Sequence, residues 1–392
     1  MRILFSFVFL LLFTFEFSAQ TTSSPSEVAK TISSEDIDKK SFDPSNLMWY
    51  NKPAAAWEDA LPVGNGRLGA MVFGGVKEER IQLNEETYWT GGPYSTVVKG
   101  GYEALPEIQK LIFEGKPIEA HKLFGRKLMG YPVEQQKYQS LANLHLFYEN
   151  EDKAEDYKRW LDLTNGISGV EYEVDGVKYK REVFASAVDQ TIVVRLTASD
   201  PGQINFETEL RGVRNSAHSN YATDYFRMDG IGTDELKLTG KSADYLGIEG
   251  KLRYEARVKV VADGGVVSRK STRVKVENAN SVNIYFVAAT NFVNYKDVSG
   301  DEVARVKKDL DQVLSKRFES IKLDAILDYK QFYDRVTLNL PVTENSYLPT
   351  DERMVKIQTS PDPVLAALTY QFGRYLLISS SRVGTQPTNL QG

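Results

Sequence analysis

Cysteine is absent from all 392 residues, which excludes disulfides, thiolate nucleophiles and Cys-ligated metals. Histidine is almost absent too. Only His121, His145 and His218 occur, and none pairs with another at a metal-ligand spacing. No metal and no cofactor is expected, although one His would suffice for a Ser-His-Asp triad. Charge of either sign is not in large excess, since the formal net charge is -5. Nucleic acid and anionic membranes both favour a basic stripe, so neither is expected as a partner. Long apolar runs are also missing after the first twenty residues, and no later stretch reads as a transmembrane helix. No repeat at solenoid spacing is present.

The N-terminus is the exception. Arg2 precedes an almost unbroken apolar run from Ile3 to Phe15, too short to span a bilayer comfortably. Glu16 ends it, and Ser18-Ala19-Gln20 offers a small residue at a cut. This reads as a signal peptide over residues 1–20, cleaved near Ala19 or Gln20. The protein is therefore expected to be exported, to the periplasm or beyond, with no membrane insertion after cleavage. Residues 21–45 are rich in Ser, Thr, Asp and Lys and read as a flexible leader.

Hydrophobic residues make up 42% of the chain and charged residues 26%, the balance of a globular protein. The 21 Tyr and 19 Phe suit strand cores, and aromatic faces also suit sugar rings. From 46 to 298 strand signals dominate. Val170, Tyr172 and Val174 alternate with Glu171, Glu173 and Asp175, then Asp175-Gly176 turns the chain back through Val177, Tyr179 and Arg181. Such alternation around Asp-Gly predicts a hairpin with a type I′ turn. Further strands are predicted over Thr191–Leu196, Ile204–Leu210, Leu236–Leu238, Leu252–Val261, Val266–Val276 and Val282–Ala288. Runs of strands without crossover helices predict a large antiparallel β-sandwich. One helical insertion is predicted on a sheet edge. Leu105, Ile108, Leu111 and Ile112 share a face, and Ile118, Leu123, Phe124 and Leu128 continue it after Gly115-Lys116-Pro117.

The period changes after Gly300, so the fold is mainly β with a helical C-terminal part. A helical linker is predicted over 299–345, opened by a capping box between Ser299 and Glu302. Its first helix carries Val303, Val306, Leu310, Val313, Leu314 and Phe318 on one face, and a second runs from Ala325 to Val336. Pro341 to Pro349 reads as a loop. Asp362-Pro363 then opens a last helix, with Asp as N-cap. Its face of Leu365, Leu368, Phe372, Tyr375 and Leu376 has no helix partner later in the sequence. It could dock on the sandwich or belong to a larger helical domain.

Two loops carry candidate chemistry. Gly64, Gly66 and Gly69 permit tight or positive-φ backbone and close approach of chains, as in a sandwich turn. A phosphate loop is disfavoured, because no Lys-Ser/Thr pair follows. Asn84, Glu85, Glu86 and Trp89 gather amide, carboxylate and indole groups at a strand end. They suit either a sugar, with its hydroxyls bonded and its apolar face covered, or a hydrogen-bonded loop with a core Trp.

Several long blocks in order resemble one family. They are Trp49-Tyr50-Asn51-Lys52-Pro53-Ala54, Trp57 through Gly74, Glu79 through Gly91, Tyr138-Gln139-Ser140-Leu141, Arg159-Trp160-Leu161-Asp162-Leu163 and Arg181 through Ser186. The last runs from Phe372 to Gly392. This pattern resembles the front part of glycoside hydrolase family 95, the α-L-fucosidase family, over nearly all of the mature chain. The resemblance implies a super-sandwich, a helical linker and the start of a catalytic (α/α)6 barrel, with residues 346–392 as its first helix and loop. It implies hydrolysis of α-L-fucosides with inversion, notably the α-1,2 bond to galactose, and a fucosylated oligosaccharide or polysaccharide as substrate. The related α-L-galactoside activity stays open. In the family a Glu serves as acid, and an Asn pair supported by an Asp serves on the base side. These follow the Asn389-Leu390-Gln391-Gly392 motif, so this chain is expected to stop before them and to hold no catalytic residue. The substrate-binding residues expected here are Asn84, Glu85 and Trp89, with Gln386 and Asn389 in the loop past the last helix. The alternative is a carbohydrate-binding or interaction sandwich without activity of its own.

Overall fold

A computed structural model describes residues 31–149, 154–213 and 226–388. The predicted signal peptide, residues 21–30 of the predicted leader, His218 and Asn389 lie outside the described residues.

Alternating apolar residues build sixteen strands among the described residues. The first run is β1 (Leu47–Tyr50), β2 (Leu61–Gly64), β3 (Leu68–Val72) and β4 (Glu78–Glu85). After a helical insertion come β5 (Ala142–Phe147), β6 (Glu155–Asp162), β7 (Ile167–Val174), β8 (Val177–Ser186) and β9 (Thr191–Ala198). The rest are β10 (Ile204–Gly212), β11 (Phe226–Ile231), β12 (Glu235–Lys241), β13 (Arg253–Asp263), β14 (Val266–Lys270), β15 (Arg273–Ala279) and β16 (Ser281–Thr290). They form two antiparallel sheets, ordered β1-β6-β7-β8-β9-β16-β13-β12-β11 and β14-β15-β10-β5-β4-β3-β2. Leu83, Leu144 and Phe206 of the smaller sheet meet Val258, Ile284 and Phe286 of the larger in one core. The chain is thus a β-sandwich followed by helices.

The Asp175-Gly176 hairpin is present. Val174 pairs with Val177, and both turn residues have positive φ, 51° and 82°. The single strand predicted over Val266–Val276 is in fact two. Ser271 adopts φ 56° and reverses the chain between β14 and β15. No Gly, Asn or Asp marks that turn, so the apolar alternation reads straight through it.

The insertion consists of α1 (Leu105–Phe113) and α2 (Pro117–Lys127), separated by Gly115. They pack chiefly on each other and on the turn at Gly101–Ala104, in place of the predicted sheet edge. Only Ile108 and Ala120 are buried.

Helix α3 (Glu302–Leu314) lays Val306, Leu310 and Val313 on Val193, Tyr285 and Val287 of the larger sheet. Its N-cap is Asp301, not Ser299: Asp301 Oδ1 accepts from the Ala304 N–H at 2.9 Å. Helix α4 (Phe318–Tyr333) starts well before the expected Ala325, directly after the extended Arg317. A short α5 (Thr350–Lys356) precedes α6 (Pro363–Ser380). Asp362 stands at the N-cap position of α6 but makes no capping bond. Its carboxylate is taken by Arg353 at 2.8 Å and by the Ser346 hydroxyl at 2.7 Å. The open question about α6 is answered in its described surroundings. Leu365, Leu368 and Tyr375 are buried with Leu61, Leu161, Tyr329 and Tyr333, so this face docks on the sandwich and on α4. Tyr370 and Leu377 remain exposed.

Candidate functional site at the junction of the sandwich and the last helix

The β2–β3 turn receives the end of α6. Gly66 has φ +91°, a conformation that side chains resist, and its N–H donates to the Ser379 carbonyl at 2.7 Å. That bond satisfies one of the carbonyls left open in the last turn of a helix. A Cβ on Gly64 would stand 2.7 Å from the same Ser379 oxygen. Gly69 needs neither freedom: its φ is ordinary and the nearest atom to a Cβ would be 3.9 Å away. Buried Asn65 locks the turn, donating to the Ser186 carbonyl at 2.9 Å and accepting from the Arg67 and Leu68 N–H groups. Arg67 then reaches Gln190 at 2.6 Å, Asp309 of α3 at 2.8 Å and the Ala288 carbonyl. One tight turn thereby joins both sheets, the linker and α6.

The end of β4 supplies the second half of the site. Side chains alternate along a strand, so two neighbouring carboxylates part company. Glu85 points inward and is 3% exposed. Its carboxylate accepts from the Thr87 N–H at 2.8 Å and hydroxyl at 2.7 Å. Burial pushes its pKa up, against the field of Arg67 and the Thr87 bonds. Glu86 turns outward. Its carboxylate accepts from the Gln386 N–H at 2.5 Å. Burial pushes its pKa up to about 7; Glu85 adds to the rise, while the Gln386 bond and Arg67 oppose it.

Glu86 helps to line a cavity of about 340 Å³ with Trp89, Tyr94, Phe292, Tyr295 and Gln386. Trp89 is held by its indole N–H, which donates to the Glu86 carbonyl at 3.1 Å, and by an edge contact with Tyr138 at 5.4 Å. Aromatic faces with a carboxyl and an amide match the two sides of a sugar ring, and the volume is at the small end of ligand pockets. Of the residues expected from sequence, Trp89 and Gln386 are brought together here. Asn84 and Glu85 are not among the residues lining the cavity. Asn84 lies opposite Gly69, and its buried Oδ1 has no hydrogen-bond partner among the described residues. Glu86 belongs to the candidate cluster at the end of β4 but not to the expected substrate-binding residues, which also lack Tyr94, Phe292 and Tyr295. Counting inward from Ile81 and Leu83 identifies Glu86 as the outward carboxylate. No local signal joins residue 295 to residue 89.

No group of three or more His, Cys, Asp or Glu suited to a metal occurs among the described residues. His145 is buried with Nδ1 2.9 Å from Glu78, a pair within the smaller sheet. Burial lowers its pKa, while the Glu78 hydrogen bond raises it.

A wide antiparallel sandwich thus seats the end of a C-terminal helix on one of its surface turns. Residues 48–295 match the N-terminal domain of glycosyl hydrolase family 65. Residues 317–392 match the glycosyl hydrolase family 95 catalytic domain, so the chain joins a glycosyl hydrolase N-terminal domain to the opening of a family 95 catalytic domain. "Alpha-L-fucosidase 2" of Arabidopsis thaliana is 32% identical over 367 residues, 88% of this chain and 43% of that protein. "Probable alpha-fucosidase A" of Aspergillus niger is 29% identical over 90% of this chain and 45% of its own length. The Aspergillus oryzae protein of the same name is 29% identical over 89% and 49%. The chain spans a little under half the length of these relatives. In fold it is similar to a solved structure from the human microbiome, provisionally assigned as a kojibiose phosphorylase. That match has a TM-score of 0.50 at 11% identity, over 91% of this chain and 43% of the other.

Proposed function

We propose that this chain is the sandwich, linker and lead-in helix of an exported α-L-fucosidase. The enzyme hydrolyses terminal α-L-fucosyl groups, α-1,2 linked, with inversion. Its substrate is a fucosylated oligosaccharide or polysaccharide. The observation that carries this reading is continuity: a sandwich domain and the opening of a family 95 catalytic domain follow each other in one chain, over the stretch shared with α-fucosidases.

In this reading Trp89 and Gln386 face the sugar, joined by Glu86. Asn84 and Glu85 support that wall from the strand behind it. Inversion needs an acid on the leaving group and a base on water, with room between them for that water. Glu85 and Glu86 are adjacent in sequence, and Glu85 is buried with its carboxylate bonded to Thr87, so this pair does not fit that arrangement. In this reading this chain does not supply the acid and base. Purified chain is therefore expected to release no fucose from 2′-fucosyllactose, followed by chromatography of the free sugar. Robust turnover would overturn this assignment. Export is tested by N-terminal sequencing of the secreted protein, which should begin near Gln20; retention of Met1 in the secreted form would count against it.

A further inference from the structure

Three residues, Ser379, Arg382 and Gln386, tie the chain to the rest of the protein as it leaves α6. The Ser379 carbonyl accepts from the Gly66 N–H at 2.7 Å. Arg382 reaches Asp328 of α4 at 3.4 Å and lies over the Phe332 ring at 5.1 Å. The Gln386 N–H donates to Glu86 at 2.5 Å. The first two secure the helix end. The third contact comes from the cavity wall itself, while the loop's own Ser380–Thr388 bond at 3.0 Å ties it only back to α6. Glu86 is joined to the β2–β3 turn, because its N–H donates to the Arg67 carbonyl at 2.9 Å.

We propose that Glu86 is a positioning residue: its carboxylate clamps the loop after α6 onto the sandwich and so fixes where Gln386 stands in the cavity wall. A bond from an N–H to an ionised carboxylate is about twice as strong as a neutral one. The charged groups around Glu86 are few. Glu85 lies behind it, with Arg305 acting on Glu85; Arg67 faces it from the turn, and the Tyr138 phenol senses its charge. With its pKa near 7, the carboxyl changes charge at neutral pH. The clamp stands on this geometry alone, while its effect on sugar affinity rests on the proposed function.

The test needs no sugar. The chain is labelled with [15N]Gln, and the Gln386 amide is assigned by its loss in Gln386→Asn. In the wild type that amide should move upfield on acidification, with a midpoint near the Glu86 value of about 7. In Glu86→Gln, a neutral acceptor of the same shape, it should stay fixed. In Glu86→Ala, trypsin should cut after Arg382 about tenfold faster, the loss of one charge-assisted bond. A wild-type amide that does not titrate overturns the clamp. So does the same titration in Glu86→Gln, or equal cleavage rates in Glu86→Ala. The wild-type titration stands even if a variant fails to fold. Because the readouts involve no ligand, failure of the clamp and failure of fucoside recognition are separate results.

Discussion

Replacing Asp362 with alanine is expected to destabilise the protein by about 3–5 kcal/mol, the range for removing one member of a buried ion pair. Arg353 and Asp362 side chains are each 1% exposed. Arg353 Nε meets one carboxylate oxygen at 2.8 Å and Nη2 the other at 3.4 Å. Its Nη1 donates to the Pro44 carbonyl at 3.0 Å, and the Ser346 hydroxyl completes the carboxylate. The pair therefore ties the chain before β1, the turn before α5, and the start of α6. Without Asp362 a guanidinium remains in the interior with no counter-charge. The pair itself is a different matter, since desolvation offsets much of its attraction. Asp362→Ala combined with Arg353→Met should thus lose less than Asp362→Ala alone. Urea unfolding of the two variants checks this, and an equal or greater loss in the double variant would mean the stranded charge is not the cause.

The other large effect is expected at the turn. Gly66→Val places a branched Cβ at φ +91°, 2.9 Å from the Arg382 nitrogen and 3.0 Å from its Cβ. Backbone strain of this kind costs about 1–3 kcal/mol. Overpacking against the α6 terminus adds about 1–3 kcal/mol more where nothing can yield. Because the same residue donates to Ser379, the loss should concentrate in the last turn of α6. Amide exchange over residues 376–382 should accelerate while the core of the sandwich stays protected. Gly69→Ala is the control. With ordinary φ and open space around a Cβ, it should leave both stability and exchange nearly unchanged. Equal effects at 66 and 69 would show that glycine content, not this contact, is what matters there.

The sequence was legible where structure is local. Asp175-Gly176 announces its hairpin because two adjacent residues carry the whole signal. The strands around it follow from alternation, and the face of α3 from its three-to-four spacing. Legibility failed where a residue had two possible partners. Ser299 and Asp301 can both cap α3, and the backbone geometry that chooses Asp301 is set by the loop before it. Asp362 reads as a cap because Pro363 follows it, yet a buried arginine nine residues earlier claims the carboxylate. At the candidate site Trp89 and Gln386 were legible as chemistry. Their meeting was not, for it depends on α6 seating its last turn on Gly66. Glu85 and Glu86 look alike in sequence, and only the strand's inward phase separates them. Phe292 and Tyr295 join the cavity from a loop remote in sequence, which no local pattern links to Trp89.

The most direct measurement of sugar recognition uses the four tryptophans as reporters. Trp89 lines the cavity, whereas Trp49 is buried at β1, Trp57 is exposed before β2 and Trp160 lies in β6. In indole-15N-labelled protein, with the Trp89 signal assigned by its loss in Trp89→Phe, 2′-fucosyllactose is titrated up to tens of millimolar, the range of very weak binding. The Trp89 indole resonance should shift saturably, the Trp49 and Trp160 signals should hold still, and lactose should have no effect. An unmoved Trp89, or the same response to lactose, would contradict the proposal that this junction faces a fucosylated sugar.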